Sequence, residues 1–257
     1  MSESDSWGKW LTEGASSAQK TWCTLGHVAG VLETAYHNLP RAVSLDDKEL
    51  LVLLSKCAED CYDFDLKEDL ATWVDLTKRP RVGVGYFLYG FYTIKQGTHS
   101  AKTVLAIQGT QAHRNVASVM QDIEIGKMIF KTAESSEPST PGITSAIQQG
   151  LSVAEELKPD YICGHSLGGF LAEIIASKLG IEGASFNCPG PFSTAVDKNL
   201  CGDNFRKLKY EIVLTRLDPV SQICLDKVRT PMNSHIGTPR FLEGTSHGNN
   251  AELRAKL

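Results

Sequence analysis

This sequence lacks the features that mark two large classes of protein, the membrane-spanning and the nucleic-acid-binding chains. None of its apolar runs approaches the ~20 residues that a membrane-spanning helix needs. Basic residues are not in surplus either, since the net charge is −4 and the pI is about 6.0, whereas a face that binds nucleic acid is basic. We therefore expect no transmembrane segment and no nucleic-acid partner.

The amino-terminal stretch lacks the basic region and the apolar core of a secretory signal peptide. Its opening residues, MSESDSWGKWLTEGASSAQK, are polar and slightly acidic. A cytoplasmic location is the corresponding expectation, and export by a different signal stays open.

Cysteine pairs of the C-x-x-C type are also absent, although seven cysteines are present. Cys57 and Cys61 are spaced to share one helix face, where free cysteine behaves as a small apolar residue. Cys163 and Cys188 lie in predicted buried strands. Reduced thiols fit this pattern better than a disulfide framework does. A zinc site at Cys57 and Cys61 would lack two further ligands nearby.

Helical periodicity characterises the amino-terminal part of the chain. Residues 1–17 are predicted to be loosely ordered. Apolar residues recur at helical spacing over residues 18–39, and acidic residues mark the first turn of a second helix after Ser44. We expect the helices of residues 18–62 to pack on the core; a membrane-surface role for the first is the alternative, but basic residues are sparse on its polar side. The stretch EDCYDFDLKED is predicted to be a solvated face rather than a metal site, because its carboxylates are scattered.

Strands and helices alternate over the rest of the chain, which is predicted to form one domain over residues 1–257. Two strands joined by a turn at residues 96–102 precede helices at residues 115–130 and 143–157. Further strands are predicted in YIC, EGASFNCPGP, LKYEIVLTRLDPV and SHIGTPRFL. This alternation predicts an α/β protein with a mostly parallel central sheet and helices on both faces.

The stretch GHSLG, residues 164–168, follows one of these strands and opens a helix. It fits the pattern G-x-S-x-G, which places a serine on a sharp, strained strand-to-helix turn. We predict Ser166 as a nucleophile; an ordinary turn rich in glycine and serine is the structural alternative.

A serine nucleophile needs a general base and an acid that orients it, and after such a turn the acid precedes the histidine along the chain. Asp218 is the predicted acid because it follows a strong strand, although an Asp-Pro turn would explain it too. Asp203 and Asp226 lie in polar surroundings and are weaker candidates. Chain order does not separate His235 from His247. We favour His247, which lies in a loop, over His235, which enters a predicted strand.

Two backbone positions are predicted to stabilise the negative charge of a tetrahedral intermediate. One is the N–H group of Leu167, at the start of the helix. The other is Thr110, which follows the buried strand LAIQG and offers a backbone N–H group and a hydroxyl. His165 is expected to pack or to form a hydrogen bond near the turn.

Four segments together resemble the class 3 (fungal-type) lipase family of α/β-hydrolases. They are VLAIQGT, YICGHSLGGFLAEIIAS, TRLDPV and SHIGTPRFLEGTSHGNNAEL, and the similarity spans residues 73–253 in the right order. The resemblance implies an α/β-hydrolase fold and a serine hydrolase of carboxylic esters, as a lipase, phospholipase A1 or esterase, without a cofactor or metal. The residues it assigns to catalysis and to the oxyanion hole are Ser166, Asp218, His247, Thr110 and Leu167.

The resemblance also implies that His235 is a non-catalytic histidine. The sequence departs from the family where Gln108 replaces the usual arginine and where NCPGP replaces a Gly-x-Pro-Arg stretch. The substrate, a lipid or small ester, therefore stays open in chain length and head group, as does transient contact with a lipid interface. Residues 110–130 are predicted either to form a lid or to pack permanently on the sheet. The rival function is a protein that has kept the fold, lost the chemistry and acts by binding or signalling.

Overall fold

The structure is a computed structural model that describes residues 42, 44–45, 47–63, 66–79, 87–109, 141–191, 208–218, 220–221, 234–244, 247 and 250–257. The chain divides between residues 40 and 41, and every described residue belongs to the second unit. The helices predicted at residues 18–39 and 115–130, and the predicted lid, lie outside the described residues.

A seven-stranded sheet forms the centre of the described unit. Its strands are β1 (Val74–Lys78), β2 (Tyr89–Ile94), β3 (Thr103–Ile107), β4 (Tyr161–His165), β5 (Glu182–Phe186), β6 (Tyr210–Thr215) and β7 (Arg240–Leu242). They lie side by side in chain order. The pairs β1–β2 and β2–β3 are antiparallel, and every pair from β3 to β7 is parallel. The predicted, mostly parallel sheet is thus confirmed, with β1 as a strand that was not predicted.

Five helices accompany the sheet in the described residues. They are α1 (Lys48–Asp60), α2 (Glu68–Ala71), α3 (Pro141–Leu157), α4 (Leu167–Leu179) and α5 (Asn250–Arg254). Among these described helices, none is long and apolar enough to cross a membrane.

The two faces of the central strands pack in two separate cores. In β4, Ile162 joins the core formed with α3 and α4, whereas Cys163 joins the core formed with α1 and α5. Neighbouring side chains of a strand point to opposite faces, and both faces here are covered. Because β4 lies mid-sheet and is buried throughout, its residues form a continuous apolar run instead of an alternating one.

Helix α1 lies where the sequence predicts the second helix, and it begins at Lys48. The side chain of Asp47 caps it by accepting a hydrogen bond from the Leu50 amide at 2.9 Å. The predicted inward face is buried, and Cys57, Cys61, Cys163 and Cys188 are free, buried thiols. The prediction of a solvated acidic face is wrong at one residue: Asp60 is buried and accepts a hydrogen bond from the Tyr92 hydroxyl at 2.8 Å.

Two further predictions need correction at the carboxyl side of the sheet. Cys188 lies beyond the end of β5, in a buried segment without regular structure rather than in a strand. His235 does not enter the last strand, because β7 begins only at Arg240. The intervening Gly237 instead forms an isolated bridge with Ala42.

Candidate active site

Ser166 lies between the end of β4 and the start of α4, on a backbone of unusual shape. Its φ of 59° and ψ of −130° fall where residues other than glycine are uncommon. The flanking glycines permit this turn: a Cβ atom on Gly164 would lie 2.3 Å from the carbonyl oxygen of Gly168, and one on Gly168 would lie 2.1 Å from that of Ile107. The strand and the helix therefore approach closely, and the serine projects at the carboxyl edge of the sheet.

The structure brings Asp218 and His247 to this serine. Asp218 lies three residues beyond β6, and His247 lies between β7 and α5. The Nε2 atom of His247 is 2.8 Å from Oγ of Ser166, and its Nδ1 atom is 2.9 Å from Oδ2 of Asp218. Because an ionised carboxylate only accepts hydrogen bonds, Nδ1 carries the hydrogen. In a neutral ring Nε2 is then free to accept the serine proton.

The carboxylate of Asp218 is fully buried and is held on three sides. Besides the bond from His247, its Oδ2 atom accepts a hydrogen bond from the Ser221 hydroxyl at 2.6 Å, and its Oδ1 atom accepts one from the Val220 amide at 3.0 Å. Burial acts to raise the pKa of Asp218, but the bond and charge of His247 and the other donors outweigh burial and lower it. The acid therefore stays ionised. Ser221 was not predicted, because a serine three residues after an aspartate is common in turns.

His165 connects the turn to the loop that carries His247. Its Nε2 atom lies 2.8 Å from the carbonyl oxygen of His247, and the two rings lie 4.7 Å apart between centroids. On the opposite side, the Tyr62 hydroxyl lies 3.2 Å from Nδ1 of His165. Burial, and then the charge of His247, lower the pKa of His165 to about 3. The predicted hydrogen bond of His165 near the turn is confirmed, whereas Tyr62 carried no signal in the sequence.

Of the two predicted oxyanion positions, the structure describes Leu167 but not Thr110. Leu167 is the first residue of α4, where backbone N–H groups have no acceptor within the helix. Thr110 lies outside the described residues and stays a prediction. Gly109, just before it, lies against the turn, since a Cβ atom there would be 2.6 Å from the carbonyl oxygen of His165.

Gln108 occupies the position at which the sequence departs from the class 3 pattern. Its Nε2 atom donates to the carbonyl oxygens of Cys61 and Tyr62, at 2.8 and 3.1 Å. These bonds attach the end of α1 to the end of β3. The glutamine thus fixes the backbone of Tyr62 beside the candidate site.

A second group of ionisable side chains lies away from Ser166. The Oε1 atom of the fully buried Glu173 accepts hydrogen bonds from Ser185 (3.0 Å), Cys188 (3.1 Å) and Nδ1 of His235 (2.7 Å), and its Oε2 atom accepts one from the Ile236 amide (3.2 Å). Glu173, Cys188 and His235 are residue types that bind metals. However, two ligand atoms on one tetrahedral zinc ion would lie roughly 3.3 Å apart, so 2.7 Å between Nδ1 and Oε1 fits a hydrogen bond better.

Two lipases of known structure are similar to this chain. A triacylglycerol lipase from Penicillium expansum shares 16% identity over 80% of this chain and 84% of its own, with a TM-score of 0.44. M37 lipase shares 16% identity over 67% of this chain and 68% of its own, with a TM-score of 0.34. No sequence-family profile and no curated protein matches the chain. Identities and TM-scores this low carry no argument. The α/β-hydrolase fold, as predicted, is assigned from the strand order of this chain and from its turn at Ser166.

Proposed function

We propose that this chain is a serine hydrolase of lipid or other carboxylic esters. The observation that carries the proposal is the series of hydrogen bonds from Ser166 through His247 to Asp218. A serine hydroxyl is a weak nucleophile by itself, and a neutral imidazole within hydrogen-bond reach is the base it needs.

Formation of the acyl-enzyme follows from these positions. Oγ of Ser166 attacks the ester carbonyl carbon while Nε2 of His247 takes the hydroxyl proton. The negative charge moves to the carbonyl oxygen, next to the N–H group of Leu167 and, as predicted from sequence, Thr110. The imidazolium gives its proton to the alcohol oxygen as the carbon–oxygen bond breaks. Asp218 stabilises the imidazolium and does not take up the proton.

Hydrolysis of the acyl-enzyme repeats these steps with water. His247 removes a proton from a water molecule, whose oxygen attacks the acyl carbon. The second intermediate collapses, the proton returns to Oγ of Ser166, and the carboxylic acid leaves. None of these steps requires a metal or cofactor.

A substrate panel tests which class of carboxylic ester the chain prefers. The similar structures include a triacylglycerol lipase, so triacylglycerols belong in the test beside monoacylglycerols, phospholipids and short-chain esters. A panel that varies chain length and head group independently would identify the preferred acyl group.

Labelling by a fluorophosphonate tests the nucleophile directly. We expect wild type to be labelled and Ser166→Ala to stay unlabelled, with a fall of at least about 10⁴-fold in kcat on a short-chain ester. Ser177→Ala, in the helix that follows Ser166, is the matched control and should retain both properties. An unlabelled and inactive wild type would support the rival function, a binding or signalling protein.

A further inference from the structure

We infer that His165 is a positioning residue for His247, holding the main chain of the residue that serves as the general base. This inference rests on the proposed function, in which His247 takes the proton from Ser166. It assigns His165 a part in the reaction although, among the described residues, its ring forms no hydrogen bond with the Ser166 side chain.

The hydrogen bond between His165 and the His247 carbonyl shows which nitrogen of the His165 ring carries a hydrogen. A carbonyl oxygen only accepts, so Nε2 of His165 carries a hydrogen and donates it to the His247 carbonyl at 2.8 Å. In the neutral ring Nδ1 is then an acceptor. The Tyr62 hydroxyl lies 3.2 Å from Nδ1 and also 3.2 Å from the carbonyl oxygen of His165, so these two acceptors share its one hydrogen.

A neutral His165 ring also suits a residue that positions His247. The reaction places a positive charge on His247, and a second imidazolium 4.7 Å away between ring centroids would oppose that charge. Burial and the charge of His247 lower the pKa of His165 to about 3, with Asp218 acting in the opposite direction. His165 can therefore bind the loop through a hydrogen bond without adding a competing cation.

His247 is in consequence fixed at two points. Asp218 holds its ring through Nδ1, and His165 holds its backbone through the carbonyl oxygen. His165 is the last residue of β4 and is buried, and Tyr62 is attached to β3 through Gln108. The anchor thus belongs to the sheet, whereas His247 lies in a connection between β7 and α5. Misplacement of a reacting group by about 1 Å can cost roughly 100-fold in rate.

Two substitutions at His165 distinguish a role in positioning His247 from a role in core packing. A glutamine amide nitrogen can lie where Nε2 of His165 lies, whereas asparagine is one carbon shorter and cannot reach the His247 carbonyl. We expect His165→Asn to lower kcat by roughly 10- to 100-fold with an unchanged KM, because His165 does not contact the substrate. His165→Gln should recover most of that loss.

Cys163→Ala is the matched packing control, since Cys163 is buried on the same face of β4 two residues earlier. After correction for the folded fraction, its kcat should equal that of wild type. Equal losses in His165→Gln and His165→Asn, or a loss in Cys163→Ala as large as that in His165→Asn, would overturn the inference.

Nuclear magnetic resonance of the full chain with ¹⁵N-labelled histidine gives a readout that requires no substrate. We expect His165 to remain a neutral Nε2–H tautomer through the pH range in which an ordinary histidine titrates. A His165 that becomes protonated in that range would overturn the inference. Failure of the proposed function is distinguishable, because it would appear as an unlabelled wild type, whereas a labelled wild type with equal glutamine and asparagine variants overturns only the part of His165.

Discussion

Two histidine–carboxylate pairs in this molecule share their chemistry but differ in their surroundings. In one, Nδ1 of His247 bonds Asp218 at 2.9 Å; in the other, Nδ1 of His235 bonds Glu173 at 2.7 Å. The side chain of His247 is 29% exposed, whereas that of His235 is fully buried. Nε2 of His247 contacts the Ser166 hydroxyl. Among the described residues, Nε2 of His235 has no hydrogen-bond partner.

The difference shows that a bond to a carboxylate does not by itself make a histidine a base. Such a bond fixes the tautomer in both pairs, but only His247 presents its other nitrogen to a group that can lose a proton. Glu173 instead accepts from four donors, of which one lies in β5, one follows β5 and two lie in the segment before β7. The buried pair therefore holds α4 against these segments, whereas in the other pair the His247 ring is partly exposed and lies beside Ser166.

The largest expected difference comes from removing each imidazole. His247→Ala should lower kcat by at least about 10⁴-fold and leave folding nearly unchanged. His235→Ala leaves the buried carboxylate of Glu173 without one of its four donors, so we expect a loss of about 1–3 kcal/mol in the free energy of unfolding and an unchanged kcat per folded molecule. The measurements are kcat on a soluble ester and a denaturant titration. His235→Asn, whose amide nitrogen can replace Nδ1, is the control and should be less destabilised; reversed outcomes at the two histidines would make His235 the base.

Replacing Asp218 and Glu173 by their amides tests the difference between the two histidine–carboxylate pairs with a smaller change. In Asp218→Asn, the NH₂ group must face either the Val220 amide or His247; in the second case it reverses the tautomer, and we expect kcat to fall by up to about 10⁴-fold. Glu173→Gln should cost about 1–3 kcal/mol of stability and leave kcat per folded molecule unchanged. Titration by denaturant and steady-state kinetics check both variants. Equal kinetic effects would contradict the assignment of one pair to structure and the other to chemistry.

The third histidine, His165, is expected to change the pH dependence of stability. Its pKa of about 3 in the folded chain lies below the ordinary value of about 6.5. Between these values the unfolded chain binds a proton that the folded chain does not, so stability falls as the pH falls. His165→Gln removes this contribution, and we expect the slope of stability against pH to decrease by up to ~1.4 kcal/mol per pH unit in this window. Denaturant titrations of both proteins across the window measure it; identical slopes would contradict a buried, neutral His165.

Local patterns were sufficient to predict most of the regular structure. Apolar periodicity predicts strands β2 to β6 and helices α1, α3 and α4, because an element that buries one face or its whole length has a recognisable pattern of apolar residues along the chain. Strand β1 was missed although Val74 and Leu76 alternate with polar residues, since a short edge strand carries a weak pattern. The burial of Asp60 was missed because its partner, Tyr92, lies on a different element.

By itself, the sequence determined Ser166 as the candidate nucleophile and Asp218 as its favoured acid. The first depends on contiguous residues, in which a strand, two glycines and a helix force the turn, and the second on a strand end and on chain order. Only the tertiary structure decided which histidine meets the serine and what the others contact. His247 and His235 both follow Asp218 along the chain, and their contacts with Ser166 and Glu173 join residues 81 and 62 positions apart. Such contacts arise when β4, β6 and β7 pack into one sheet, and no local pattern records which distant side chains that packing brings together.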